Sequence, residues 1–217
     1  GGYIAVSGAD GKGTLTLKNN SRLSSRYSML AGYHSEGYWY DGLYIPCATK
    51  ETTSDSSNRY GGGVYDSVIE STGRKYGKAT INVESGSSLE LGTIFQLGEA
   101  VMNITGAGSQ VKTGTISPNY VIVLGRQTDC TSELNVTNGG KLLANSWMRT
   151  GYSGVLGTSV TINVDGKDSA IMLWGIQLGH SSASDSKTLI NITNGGLFQF
   201  AGGYLNVEDG KNAVEVN

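Results

Sequence analysis

The chain repeats a unit of nearly constant length, and this repeat constrains the fold more than any other feature of the sequence. Each unit opens with an apolar-polar-apolar triplet and ends in glycine. In four units the closing glycine comes 17 positions after the opening residue; these units open at Leu15, Ile81, Leu134 and Ile162 and close at Gly32, Gly98, Gly151 and Gly179. A fifth unit, from Met102 to Gly125, takes 23 positions. Recurrence of this kind is the signature of a protein built from stacked repeats.

The joint between units varies in length far more than the units do. The next triplet opens 49 positions after Gly32 but only 4 positions after Gly98. Insertions in a stacked solenoid map to loops on one edge. The sequence therefore predicts one corner that carries long loops and other corners where insertions are mostly excluded.

The pattern within a unit predicts three short strands. The opening triplet alternates apolar residues with asparagine at 81–83, 134–136, 162–164 and 190–192, which is typical of a strand with one buried face. A glycine-bearing turn, a second alternating strand and a third strand ending at the closing glycine follow. A single coil cannot bury its inward residues, so equivalent strands must stack in parallel. We expect an all-β, single-stranded parallel β-helix (β-solenoid) of about six coils over residues 1–217.

Both ends of the chain depart from the repeat. Residues 4–6 and 205–207 are predicted to be third strands of incomplete coils. Because open solenoid ends leave strand edges unpaired, we expect the chain to be a fragment of a longer solenoid.

Residues 33–78 are predicted to form a long aromatic-rich loop that projects from one corner. The segment contains seven of the chain's 12 tyrosines, and four aromatic residues are concentrated in seven positions, at Tyr38, Trp39, Tyr40 and Tyr44. Flat aromatic rings with polar tips suit stacking on sugars and contact with proteins. The alternative is a flap that buries the rings on the first coils, and the sequence leaves both open.

Residues 134–154, LNVTNGGKLLANSWMRTGYSG, resemble a glycine-rich β-strand repeat of autotransporter passenger regions and of Gram-negative surface proteins with a PEP-CTERM sorting tail. The similarity covers residues 13–32 and 78–207. It implies a right-handed parallel β-helix on an exported bacterial protein, with surface exposure and often adhesion, and it brings no catalytic residues. The aromatic insertion departs from the family pattern, and neither a translocator barrel nor a sorting tail is evident.

Other side chains form weaker candidate sites. Tyr152 and His180 each follow a closing glycine, so stacking would place them together as a binding site or as part of a solvated corner. The outward asparagines are expected to form a stabilising ladder or a polar ligand face; they are Asn82, Asn103, Asn135, Asn163 and Asn191. The acidic side chains most relevant to catalysis lie at predicted turns and are Asp165, Asp168 and Asp185.

Composition limits the partners and cofactors. A net charge of -2 with 16% charged residues gives no basic surface for nucleic acid, and no apolar run is long enough for membrane insertion. With two histidines and no CxxC pair, we expect no metal and no cofactor. Cys47 and Cys130 are either two thiols or one disulfide.

These observations favour an extracellular or cell-surface module, a rigid spacer of adhesin type that displays corner loops to a glycan or to a protein of a host or neighbouring cell. The alternative is a carbohydrate-active enzyme with a pectate-lyase-like architecture, acting as a lyase or a hydrolase. Such an enzyme needs carboxylates and a basic group together in one groove, which the sequence does not evidently supply. The sequence gives no oligomeric state.

Overall fold

The computed structural model describes residues 4–7, 11–26, 29–32, 37–40, 43–46, 77–92, 95–114, 121–126, 129–151, 157–179, 184–203, 205–207 and 211–217. All regular structure in these residues is β-strand. They include no helix of the length and hydrophobicity needed to cross a membrane.

The first half of the chain contains β1 (Ile4–Val6), β2 (Lys12–Leu17), β3 (Arg22–Ser25), β4 (Met29–Ala31), β5 (Gly37–Tyr40), β6 (Leu43–Pro46), β7 (Lys78–Glu84), β8 (Ser88–Leu91), β9 (Phe95–Leu97), β10 (Ala100–Thr105) and β11 (Gln110–Thr113). The second half contains β12 (Val121–Leu124), β13 (Thr131–Thr137), β14 (Lys141–Ala144), β15 (Trp147–Thr150), β16 (Ser159–Asp165), β17 (Ala170–Leu173), β18 (Gly175–Leu178), β19 (Ser184–Thr193), β20 (Leu197–Phe200), β21 (Leu205–Val207) and β22 (Lys211–Val216).

These strands form three parallel sheets and one hairpin. The first sheet has seven strands in the order β2-β7-β10-β13-β16-β19-β22, and the second has six, β3-β8-β11-β14-β17-β20. The third has seven, β1-β4-β9-β12-β15-β18-β21, and β5 pairs with β6 in a separate two-stranded sheet. Outside that hairpin, successive strands visit the third, first and second sheets in turn. This arrangement is consistent with a β-helix or solenoid.

The register of the first sheet confirms the predicted stacking of the triplets. Ile81 pairs with Met102, Met102 with Leu134, Leu134 with Ile162, and Ile162 with Ile190. Strands β1 and β21 lie in the third sheet, as predicted for the two ends. The sequence interpretation missed β22, which adds a further strand to the first sheet after the six expected triplets.

The core lies between the three sheets and is built from alternate residues of each strand. Strand β13 shows the pattern: Leu134 and Val136 are fully buried, whereas Asn135 between them is half-buried on the outer side. Burying an aliphatic side chain of this size contributes roughly 1.5 to 3 kcal/mol. Because every coil repeats the alternation, the core runs from one end of the stack to the other.

The corners differ in length as the sequence predicts. The turns from the first to the second sheet are uniformly short, at 18–21, 85–87, 106–109, 138–140, 166–169 and 194–196. The longest connection runs from β4 in the third sheet to β7 in the first, and it contains the hairpin. Strand β7 begins at Lys78, so the last residue assigned to the insertion already pairs in the stack, opposite Lys12. The extra length of the fifth unit lies between β11 and β12, from the second sheet to the third.

Candidate functional site

The aromatic cluster is carried by an antiparallel hairpin. Tyr38, Trp39 and Tyr40 belong to β5 and Tyr44 belongs to β6, with Trp39 paired to Tyr44 and Tyr38 paired to Ile45. The structure therefore brings the four predicted residues together on two adjacent strands. A strand of aromatic residues is a favourable local choice, since aromatic side chains are enriched in β-structure.

Three of the predicted site residues lie outside the described residues: Tyr152, His180 and Cys47. Cys130 lies in the corner that leads into β13 and is buried, with 1% of its surface exposed. The Cys47–Cys130 disulfide and the pairing of Tyr152 with His180 remain predictions.

The outward asparagines of the first sheet form a continuous amide ladder. Each Nδ2 donates to the Oδ1 of the preceding coil, from Asn103 to Asn82 at 2.9 Å, Asn135 to Asn103 at 2.9 Å, Asn163 to Asn135 at 2.7 Å and Asn191 to Asn163 at 2.8 Å. Thr16 ends the ladder on one side, where its Oγ1 accepts from Asn82, and Asn217 ends it on the other by donating to Asn191. These hydrogen bonds confirm the predicted ladder. Each inner amide uses one donor and one acceptor to bind the amides of the two neighbouring coils.

The three predicted acidic residues do not form one site. Asp165 ends β16, and its Oδ1 accepts hydrogen bonds from Thr193 Oγ1 at 2.6 Å and Asn194 Nδ2 at 2.7 Å. The bond from Thr193, followed by that from Asn194, lowers the pKa of the Asp165 carboxyl from its ordinary value. Asp185 lies at the start of β19 and Asp165 pairs with that strand's last residue, so the two are roughly 25 Å apart at about 3.3 Å per residue.

The described residues contain no group of three histidine, cysteine, aspartate or glutamate side chains able to hold a metal ion. Asp168 contributes instead to a different feature, a groove along the corner between the first and second sheets.

This groove has a volume of about 360 Å³, within the usual range for small-molecule sites. Three consecutive turns and the first residues of β11 and β14 line it, through Ala107, Gly108, Ser109, Gln110, Asn138, Gly139, Lys141, Lys167 and Asp168. Asn138 and Asp168 have φ values of 52° and 68°, so both turns use left-handed residues at this corner. Two ammonium groups, one carboxylate and several amides or hydroxyls allow the groove to hydrogen-bond a polar ligand.

The sequence interpretation missed this groove. Lys141 and Lys167 belong to different coils, and only the stacking of the turns brings them to one surface. The available signal was the set of glycine- and asparagine-bearing turns at equivalent positions of successive units.

Comparison with known proteins gives no family assignment: no protein-family model matches the chain, and no curated protein or solved structure is significantly similar to it.

Proposed function

We propose that the chain is a right-handed parallel β-helix of an extracellular or cell-surface protein, acting as a rigid spacer that presents corner loops to a glycan or protein partner. The observation that carries this proposal is the regular parallel first sheet of seven strands, together with a single corner, from the third sheet to the first, that carries the long aromatic insertion. A regular stack supplies a stiff support, and a loop at its edge is free to vary without disturbing the core.

The stack has the features of a stiff element. Strands roughly 4.8 Å apart give a seven-stranded sheet about 29 Å between its outer strands. The core is continuous along this direction, and the amide ladder joins the same coils on the outside. Both run along the stacking axis, so they resist bending and slippage of one coil against the next.

The aromatic hairpin is the proposed contact element. Tyrosine and tryptophan provide a large rigid contact area at a low cost in side-chain entropy. An aromatic anchor at the centre of an interface contributes about 1 to 3 kcal/mol, equivalent to about 5-fold to 150-fold in Kd. Pairing Trp39 with Tyr44 across the hairpin places two such anchors at neighbouring backbone positions.

The test is a screen of the intact chain against glycan and host-protein arrays, followed by Kd measurements for Trp39→Ala and Trp39→Phe. We expect Trp39→Ala to weaken binding by at least about 5-fold. The thermal midpoint should change little, and the Phe variant should retain most of the affinity. Trp39→Phe is therefore the matched control, because it keeps an aromatic ring at the same backbone position.

Two results would contradict the proposal. A lowered thermal midpoint in Trp39→Ala, together with no partner for the unmodified chain, would assign the insertion to a structural flap. Cleavage of a polysaccharide by the chain would instead favour the carbohydrate-active enzyme.

A further inference from the structure

The turns from the first to the second sheet alternate in length along the stack. Turns of four residues lie at 18–21, 106–109 and 166–169, and turns of three residues lie at 85–87, 138–140 and 194–196. The turn 138–140 therefore lies between two longer turns, and so does the turn 85–87. Because each longer turn has one residue more, the corner is recessed at these two short turns.

The recess at 138–140 is open, whereas the recess at 85–87 is partly filled. At 85–87 the side-chain oxygen of Asn20, from the preceding long turn, lies where a Cβ on Gly86 would be. At 138–140 the preceding long turn carries only Ala107 and Gly108, and a Cβ on Gly139 would come no nearer than 3.5 Å to another atom. The groove at this corner is open because the residues of that wall are small.

The floor and the two walls of the groove are joined by hydrogen bonds between coils. The amide of Gly139 donates to Ser169 Oγ of the next coil at 2.9 Å, and Ser169 Oγ donates to the carbonyl of Asp165 at 2.6 Å. On the other side, the amide of Lys141 donates to the carbonyl of Ser109 at 3.0 Å. The backbone of the groove is thus formed before any ligand arrives, which lowers the entropy cost of binding.

Two lysine side chains give the groove a positive charge. Lys141 begins β14 and Lys167 lies in the following long turn, and both are exposed. Among the residues that the structure describes, neither lysine has an acidic partner within ion-pair distance. Asp168 is the only carboxylate of the lining, so two positive charges and one negative charge give a formal charge of +1. Such a groove attracts an anionic group.

The remaining lining residues favour a ligand that also carries hydroxyl groups. The Asp168 carboxylate only accepts hydrogen bonds, so it repels a simple anion and binds hydroxyl donors. The amides of Asn138 and Gln110 both donate and accept. No lining residue is aromatic, and the largest apolar one is Ala107, so the lining offers hydrogen bonds and charge rather than an apolar surface. The volume, at the lower end of the range for small-molecule sites, suits a single sugar ring.

We propose that the groove over residues 138–140 binds an acidic sugar, a sugar ring that carries one carboxylate. The carboxylate of the sugar lies between the ammonium groups of Lys141 and Lys167. Its hydroxyl groups donate to Asp168 and exchange hydrogen bonds with Asn138 and Gln110. The groove lies at the corner between the first and second sheets, whereas the aromatic insertion leaves from the corner between the third and first. Binding in the groove is therefore independent of the contact proposed for the hairpin.

The test is an NMR titration of the intact, isotopically labelled chain with galacturonate. Galactose, which lacks the carboxylate, and acetate, which lacks the ring, are the two control ligands. We expect galacturonate to shift the amide signals of Gly108, Gly139 and Asp168 to saturation, with a Kd at least about tenfold lower than that of either control. Raising the salt concentration to about 1 M should weaken the binding of galacturonate, because the two ammonium groups are exposed and are screened by salt.

Substitutions in the groove test which side chains bind the sugar. Lys141→Gln and Lys167→Gln should each weaken galacturonate binding by about 3-fold to 10-fold, and Ala107→Leu should abolish it by filling the space over Gly139. Lys187→Gln is the matched control, because it removes the same charge from an exposed lysine near the start of β19, away from this corner. The thermal midpoint should be nearly the same in all four variants.

Three results would overturn the proposal. The first is the absence of saturable shifts with galacturonate. The second is equal binding of galacturonate and either control ligand, since equality with acetate would leave only an anion site and equality with galactose would remove the role of the lysines. The third is a loss of affinity in Lys187→Gln as large as in Lys141→Gln. None of these results bears on the binding assays of Trp39→Ala, so the two proposals fail separately.

Discussion

Replacing Gly140 with alanine tests how closely the turns of neighbouring coils approach. Gly140 ends the turn before β14, and its φ lies outside the left-handed region, so alanine is compatible with its backbone. A Cβ at this position would lie 2.7 Å from the carbonyl carbon of Ile104 in the preceding coil, and closer still to its oxygen. Both atoms belong to a backbone held in the first sheet, so the clash cannot be relieved by rotating a side chain.

The expected effect of Gly140→Ala follows from two opposing contributions. Overpacking against a fixed neighbour costs typically 1 to 3 kcal/mol, and a backbone neighbour places this site at the upper end. Reduced entropy of the unfolded chain offsets about 0.4 to 1 kcal/mol. We expect a net loss of about 2 kcal/mol in the free energy of unfolding, which lowers the thermal midpoint of a chain of this size by about 4 to 8 °C.

Urea and thermal unfolding of two matched variants complete this test. Gly196→Ala repeats the clash at the same corner two coils later, against the carbonyl carbon of Val164 at 2.8 Å, and should cost a similar amount. Gly139→Ala places its Cβ no nearer than 3.5 Å to another atom but has a φ of +85°, so it should cost only about 1 kcal/mol of backbone strain. A neutral or stabilising Gly140→Ala, or one that costs less than Gly139→Ala, would refute the close stacking of the turns.

Three further predictions concern the ladder, the acidic turn and the cysteines. Asn135→Ala removes two hydrogen bonds of the ladder and should lower the free energy of unfolding in urea by about 1 to 3 kcal/mol. Asn217→Ala removes one hydrogen bond at the end of the ladder and should lower it by less. Equal effects of the two substitutions would contradict the ladder. The lowered pKa of Asp165 stabilises the folded chain at pH values above the unfolded-state pKa, and this stability is lost as the pH falls through the folded-state value. The difference in thermal midpoint between the unmodified chain and Asp165→Asn should therefore be constant above about pH 5 and shrink below about pH 4. A difference that stays constant down to about pH 2.5 would contradict this role. If Cys47 and Cys130 are bridged, intact mass after denaturation and alkylation without reductant will show no alkyl adduct, and two adducts will contradict the bridge.

The architecture was predictable because its signal is local and repeated. Alternation such as Leu134-Asn135-Val136 fixes which face of a strand is buried, and the constant spacing fixes which residues stack. The register of the first sheet from β2 to β19 follows from those two facts. Strand β22 was missed because its triplet, Val214-Glu215-Val216, has glutamate where the recurring triplets have asparagine, so it was not recognised as an opening triplet.

The candidate sites were less predictable because they depend on contacts between coils. Tyr38, Trp39 and Tyr40 were identified from composition, but their pairing with β6 needed the hairpin register. The groove beside Lys141 and Lys167 is formed by turns from separate repeats. Its lining residues are therefore not adjacent in the sequence, and no local sequence pattern indicates it. Glycine and asparagine in the sequence predict the position of each turn, whereas the space between turns depends on how the coils stack.

Distances along one outward column of the first sheet test the stacked architecture most directly. In this column Thr14 pairs with Thr80, and the register continues to Thr161, Leu189 and Glu215. Spin labels at Thr14 and one of the last three sites, in a chain with both cysteines replaced, are separated by four, five and six strand spacings. Pulsed electron paramagnetic resonance should give distances between the label attachment sites of about 19, 24 and 29 Å, rising by roughly 4.8 Å from pair to pair. Distances that do not rise in this order, or broad distributions without a maximum, would contradict the stacking of equivalent strands.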